Sequence, residues 1–232
     1  MLRATILGAS RLSSSARQLL VFDRLVYYSR SMTQEQDTRQ RIVSSARDLI
    51  YRRSYADVGV AEICARAAVK KGSFYHFFPS KQDLSLAVID ALRTGLEDQV
   101  LIPAFARDLP PLHRLERFIT TLYEFQRDTT ASNGHLLGCP FGNLALELAT
   151  RDEVIRHKLA AVFAGIQACF EQALNEARTA GEIDGVDIPA TAAAMLAYLE
   201  GILLLAKTAN DPEVIRRLGP AFAQIRIDLP AG

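Results

Sequence analysis

Apolar residues recur along most of this chain at intervals of three or four, which is the spacing of one face of an α-helix. This spacing predicts helices over residues 38–53, 60–67 and 71–78, a fourth from residue 81 to a bend near 103–111, and later helices over 112–127, 140–150, 152–179, 189–209 and 212–224. No segment shows the alternation typical of a β-strand. We therefore expect an all-α fold.

The first three predicted helices are short, and a tight turn at residues 68–70 separates the second from the third. Three helices in this order are typical of a helix-turn-helix unit. Phe74 and Phe78 are four residues apart and should anchor the third helix to the first two. Ser73, Tyr75 and His76 then face outward. We expect this third helix to approach a phosphate backbone and the base edges beside it.

Composition sharpens this interpretation through the distribution of charge. The chain has 232 residues, 49% of them hydrophobic, which is enough for one large or two smaller cores. Its net charge is only +1. Residues 38–90, however, carry nine Lys/Arg against five Asp/Glu, whereas residues 91–232 carry thirteen against eighteen. The front of the chain is therefore the part expected to meet a polyanion.

Residues 1–31 differ from the rest, with five arginines, six serines and one acidic residue, Asp23. This composition is similar to an organelle transit peptide. The alternative is that the natural protein begins at Met32, just before the polar stretch 33–38. In both cases we expect residues 1–36 to be disordered, because they have little apolar surface to bury.

The stretch VKKGSFYHFFPSKQDL, residues 69–84, resembles the signature of the TetR family of transcriptional regulators, and Ile63 and Ala67 match it as well. The resemblance implies a helix-turn-helix DNA-binding domain over 37–84 and a helical ligand-binding and dimerisation domain over 85–232. It also implies a homodimeric repressor that a small-molecule inducer releases from a palindromic double-stranded DNA operator.

The side chains expected to contact DNA cluster at the third helix and the start of the fourth. They are Lys70, Lys71, Gly72, Ser73, Tyr75, His76 and Lys81. Lysine can donate to guanine or phosphate, and Gly72 lets the backbone come close. Several positions depart from the family pattern, among them Phe77 and the pair Val58-Gly59, and two lie in the turn before this helix. Ala68 stands where glycine is usual, which the turn tolerates if φ stays negative, and Lys70 replaces a capping hydroxyl, which costs about 1 kcal/mol.

The three cysteines, Cys64, Cys139 and Cys169, are widely spaced, which argues against a disulfide framework or a zinc site. We expect no metal, no cofactor and a reducing, cytoplasmic location. Cys139 precedes Pro140, which suits the first position of a helix, so its thiolate would be favoured there and could sense electrophiles or oxidants. The alternative is an inert, tucked-away cysteine.

A conventional ligand pocket is the other candidate trigger. Its expected lining is Phe118, Leu122, Phe125, Phe141, Asn143, Leu144, Glu147 and Phe163. Apolar residues at this spacing also suit an ordinary core, and Asn143 and Glu147 could instead bond to backbone. The sequence names no ligand.

The helices over 152–179 and 189–209 carry more apolar surface than one contact needs, so they could form a four-helix interface between two copies or serve as core helices. Glu200 interrupts the apolar run of the second, which argues against a membrane span. The common enzyme motifs are missing from the sequence. We expect a DNA-binding regulator, with a thiol-dependent enzyme or a helical interaction module as the alternatives.

Overall fold

The computed structural model describes residues 35–229, and these residues form an all-α fold, as predicted. Helix α1 spans residues 35–52, so residues 35 and 36 are helical rather than disordered. The expectations for residues 1–34 lie outside the described part. Helices α2 (Val60–Arg66), α3 (Lys71–Phe77) and α4 (Lys81–Leu96) follow. Ser80 caps α4 by accepting a hydrogen bond from the amide of Asp83.

The remaining helices make the larger part of the molecule. A π-helical turn, Glu97–Leu101, continues α4 and leads to the single turn α5 (Ile102–Ala104). The elements after it are α6 (Pro111–Asn133), α7 (Pro140–Leu148), α8 (Glu153–Thr179), α9 (Ile188–Ala209) and α10 (Glu213–Phe222). Helix α6 runs six residues beyond its predicted end. It ends at Gly134, whose φ of 78° lies in the left-handed region.

A continuous hydrophobic core joins the small α1–α3 unit to the larger helical part. Its centre is a group of four aromatic rings, Phe105, Phe118, Phe170 and Phe222, whose centroids lie 5.2 to 6.2 Å apart. These rings come from α6, α8, α10 and the segment after α5, so they hold the long helices together. The α1–α3 unit therefore packs against the larger helical part.

Among the helices of residues 35–229, α9 alone is long and apolar enough to cross a membrane, judged by length and composition only. Met195, Leu199 and Ile202 are nevertheless buried among the protein's own side chains. Glu200 and Lys207 add charge to the same helix. We interpret α9 as a core helix.

Candidate nucleic-acid interface and ligand cavity

Helix α3 presents a polar, basic surface on an apolar anchor. Phe74 is fully buried and Phe78, just past the helix, is 3% exposed, and their ring centroids lie 6.0 Å apart. The opposite side consists of the exposed residues Lys70, Lys71, Gly72, Tyr75 and His76, with Ser73 half-buried beside them. Because the phenylalanines fix the orientation of α3, these exposed groups are held facing one way.

The turn before α3 differs from the expectation for Ala68. This residue adopts φ 53°, in the left-handed region, so the condition that φ stay negative is not met. A residue with a Cβ is strained there by roughly 1–2 kcal/mol. Lys70 makes no side-chain cap to α3, as the sequence predicts. The turn therefore costs stability at Ala68 and at Lys70.

Lys81, the predicted DNA contact at the start of α4, makes contacts within the protein. Its ammonium donates a hydrogen bond to the carbonyl of Tyr55 and lies 3.8 Å from the centroid of the Tyr55 ring. Burial lowers the pKa of Lys81. The side chain thus ties α4 to the α1–α2 loop.

A cavity of about 370 Å³ lies between α1, α4, α6, α7 and α9. Its volume falls at the lower end of the roughly 300–1,000 Å³ typical of small-molecule sites. Apolar residues form most of the wall, including Phe118, Leu122, Phe141, Leu199 and Leu203. Polar groups enter it from Tyr51, Gln126, Cys139 and Glu200. This is the composition of a ligand-binding site.

The residues of the predicted lining divide between this cavity and other parts of the molecule. Phe118, Leu122, Phe125 and Phe141 lie on the wall, but Asn143, Leu144, Glu147 and Phe163 do not. Helix α7 turns Phe141 to the cavity, so Asn143 and Glu147 face away, and Leu144 is buried in the core. Phe163 follows Val162, which occupies the inward position on α8, so its ring packs half-exposed beside the core.

Asn143 and Glu147 make hydrogen bonds instead. The Asn143 amide donates to the carbonyl of Leu137 and accepts from Lys207, at 2.9 and 2.8 Å. The carboxylate of Glu147 accepts from two backbone amides of the α1–α2 loop, Tyr55 at 2.9 Å and Ala56 at 2.7 Å. Glu147 therefore joins α7 to the unit that carries α3.

Two further contacts connect the same parts. The hydroxyl of Tyr51, on α1, donates to the carbonyl of Gly138 at 2.6 Å, and the Arg52 guanidinium donates to Asn133 at the end of α6. Burial raises the pKa of Tyr51, so this hydroxyl keeps its proton. Arg47, Asp48, Tyr51 and Arg52 of α1 also line the cavity. Any molecule in the cavity thus lies against the first helix of the DNA-facing unit.

Cys139 sits at the N-cap of α7, as predicted, and its sulfur accepts from the amide of Gly142 at 3.3 Å. The prediction of a favoured thiolate is wrong. Burial, and after it the nearby carboxylate of Glu200, raise the pKa of the Cys139 thiol well above its ordinary value. A Cβ at Gly142 would collide with that carboxylate, which shows how closely Glu200 approaches this helix end. A raised pKa lowers the thiolate fraction, which favours the alternative of an inert cysteine.

Sequence reasoning missed Tyr51, Gln126 and Glu200 as cavity residues. A signal did exist for Gln126, because it continues the buried stripe of α6 formed by Leu115, Phe118, Ile119 and Leu122. A polar residue at an apolar position of such a stripe often has a specific partner. Tyr51 and Glu200 gave no comparable signal, since their nearness to the cavity depends on how α1 and α9 pack.

An exposed basic helix-turn-helix surface fixed to a helical base with an internal cavity defines a ligand-responsive, DNA-binding transcriptional regulator. Family models agree: residues 42–88 match the model described as bacterial regulatory proteins, tetR family, and residues 111–222 match the tetracyclin repressor-like C-terminal domain.

Individual relatives support the same assignment. The transcriptional regulator AcuR of Cereibacter sphaeroides is 33% identical over 80% of this chain and 83% of its own. An uncharacterized HTH-type transcriptional regulator in the lacX 3′ region of Lactococcus lactis subsp. lactis is 32% identical over 77% of this chain and 88% of its own. The crystal structure of a regulatory protein TetR from Rhodobacter sphaeroides, 32% identical, superposes with a TM-score of 0.70, covering 81% of this chain and 98% of that one.

The chain belongs to the TetR family of transcriptional regulators. It is a sequence-specific DNA-binding protein, and members of this family are regulators that act as dimers on operator DNA.

Proposed function

We propose that this protein is a homodimeric repressor, which α3 holds on a palindromic operator until a small molecule enters the cavity. The carrying observation is that Lys70, Lys71, Gly72, Tyr75 and His76 are exposed together on a helix whose other side is buried. Ser73 completes the DNA-facing set. The DNA-binding unit is residues 37–84, residues 85–232 form the ligand and dimer part, and the protein works in the cytoplasm, where its operator lies.

Release follows from the position of α1. The cavity is bounded by α1 on one side and by α6, α7 and α9 on the others. A ligand that spreads these walls displaces α1, and with it the α1–α2 loop held by Glu147 and Lys81. Two recognition helices must be one DNA turn apart, about 34–36 Å, to engage both half-sites. A small displacement of each α1–α3 unit changes that separation and weakens binding.

The dimer forms through the outward faces of α8 and α9. Ala160, Ala164 and Ala168 are exposed along α8, and on α9 Ala193 and Ala197 are exposed while Leu204 is 57% and Leu205 55% exposed. Small residues permit close approach of helices, and exposed leucines beside them favour a partner surface. The other side of α8, including Ile155, Leu159 and Ile166, is buried in the protein's own core. Each helix therefore serves both the core and the proposed interface.

The proposal is tested by measuring affinity for operator DNA, found by genome-wide footprinting, over a range of salt concentrations. Lys71→Ala should weaken binding by roughly tenfold and reduce the salt slope by about one unit, because one phosphate or base contact is lost. Tyr75→Ala should also weaken binding. Lys158→Ala, the same change on α8, is the matched control.

The same samples test the dimer by sedimentation velocity. Lys71→Ala and Tyr75→Ala should remain dimeric, and Leu204→Glu should become monomeric and lose operator binding. Leu109→Glu, on the loop before α6 and outside the proposed interface, should stay a dimer. Wild-type affinity in both α3 variants would contradict the proposed DNA surface, and a dimeric Leu204→Glu variant would contradict the proposed interface.

A further inference from the structure

One polar atom in the wall of the cavity lacks a partner. Gln126 is 2% exposed, and among residues 35–229 its Oε1 is the buried side-chain oxygen or nitrogen that finds no hydrogen-bond partner. Its Nε2 lies 3.5 Å from the carbonyl of Gly138. In this orientation the amide nitrogen faces the Gly138 carbonyl, whereas the flipped amide would set Oε1 against that oxygen. A buried acceptor without a donor costs free energy, so folded proteins retain few of them.

Tyr51 and Glu200 add polar groups to the same cavity wall. Tyr51 makes a side-chain hydrogen bond with Gln126, but its own hydroxyl proton goes to Gly138, so the Gln126 oxygen still has no donor. Glu200 lies against Gly142 at the start of α7, and its carboxyl contributes a second acceptor. Most of the remaining wall is apolar.

The charged side chains on the cavity wall are balanced, with Arg47 and Arg52 against Asp48 and Glu200, so the wall does not call for a charged ligand. Glu200 and Asp48 are both on the wall, and Arg47 is already paired with Asp48 at 3.0 Å. The guanidinium of Arg52 is bonded to Asn133 at the rim. Burial raises the pKa of Glu200, so the interior also disfavours an isolated charge on this group. A neutral head that donates a hydrogen bond fits both constraints.

We infer that the cavity takes a compact, uncharged molecule with an apolar body and a hydroxyl or similar hydrogen-bond donor at one end, which donates to Gln126 Oε1. This inference rests on the proposed function, since it names the chemistry of the molecule that releases the repressor. An analogue with the same body but no donor leaves the oxygen unpaired. A carboxylate has no proton to donate and would set a further acceptor against that oxygen.

The test compares three probes with the same body on the free dimer by calorimetry: 4-propylphenol, 4-propylanisole and 4-propylbenzoate. We expect 4-propylphenol to bind about tenfold more tightly than the ether, because a site built for a donor penalises its loss. The benzoate should bind more weakly than the phenol.

The variant Gln126→Leu removes the acceptor and keeps a similar shape. It should bring the phenol-to-ether preference close to one and should unfold at no lower temperature than the natural protein, because an unsatisfied buried group is replaced by an apolar one. Gln224→Leu, the same change on the exposed turn after α10, should keep the tenfold preference.

Equal or tighter binding of the ether or the benzoate would overturn the inference, as would an unchanged preference in Gln126→Leu or failure of the phenol to bind up to its solubility limit. These results concern the free protein. Operator binding is measured separately, so a wrong ligand class would leave the proposed repressor function standing, and loss of DNA binding alone would leave the ligand class standing.

Discussion

The DNA-facing surface and the cavity wall use polar side chains in opposite ways. On α3, Lys71, Tyr75 and His76 project from consecutive turns into solvent and are oriented by buried phenylalanines beneath them. In the cavity, Tyr51, Gln126 and Glu200 come from three separate helices and are partly or wholly enclosed. An exposed polar group can await its partner in water at little cost, whereas an enclosed one must be matched within the protein or by a ligand. Replacing a DNA-facing side chain should therefore leave the free energy of unfolding nearly unchanged, whereas replacing an enclosed cavity side chain should alter it.

The largest expected effect separates anchor from contact within α3. Phe74→Ala should lower the free energy of unfolding by about 3–5 kcal/mol, because it leaves a cavity at a fully buried position. Tyr75→Ala, at a residue that is 53% exposed, should change it by less than about 0.5 kcal/mol. Urea unfolding followed by circular dichroism measures both. Similar losses in the two variants would break the distinction between anchor and contact.

A middle-sized effect is expected where the two regions meet. Glu147→Gln removes the negative charge that two loop amides share, and such charge-assisted bonds are worth about 1.5–3 kcal/mol. The amides of Tyr55 and Ala56 should exchange hydrogen faster, and operator affinity should fall. Glu124→Gln, on the exposed side of α6, is the matched control. Unchanged exchange at both amides would show that Glu147 does not hold the loop.

The smallest effect concerns the turn before α3. Ala68→Gly should raise the free energy of unfolding by about 1 kcal/mol, because glycine adopts φ near 53° without strain. Operator affinity should stay within twofold, since the orientation of α3 comes from Phe74 and Phe78. Thermal unfolding and DNA titration check the two parts. A less stable variant would mean that the methyl group of Ala68 contributes packing that outweighs the strain.

The sequence predicts the order of the helices and the α3 surface because both depend on residues close together in the chain. Ser80, Asp152 and Asp187 cap the helices that follow them, and each cap needs only the next three residues. The positive φ of Ala68 could not be predicted, because the sequence does not specify the backbone angle that packing imposes.

The cavity depends on packing between distant segments, so only part of it could be predicted. The apolar half of its wall follows from the stripes of α6 and α7. The polar half requires that α1 and α9 approach α6, which no local pattern encodes. The two interpretations of Cys139 could not be separated for the same reason: its helix position favours a thiolate, whereas burial and Glu200, contributed by α9, raise the pKa of the thiol.

The contribution of α1 to the cavity wall has a consequence for engineering. Arg47, Asp48, Tyr51 and Arg52 belong to the segment that a chimera would transplant in order to redirect such a regulator to another promoter. Exchanging the whole α1–α3 unit therefore also replaces one wall of the cavity. Hybrid biosensors built from this scaffold should retain these four side chains from the parent that supplies the sensing half.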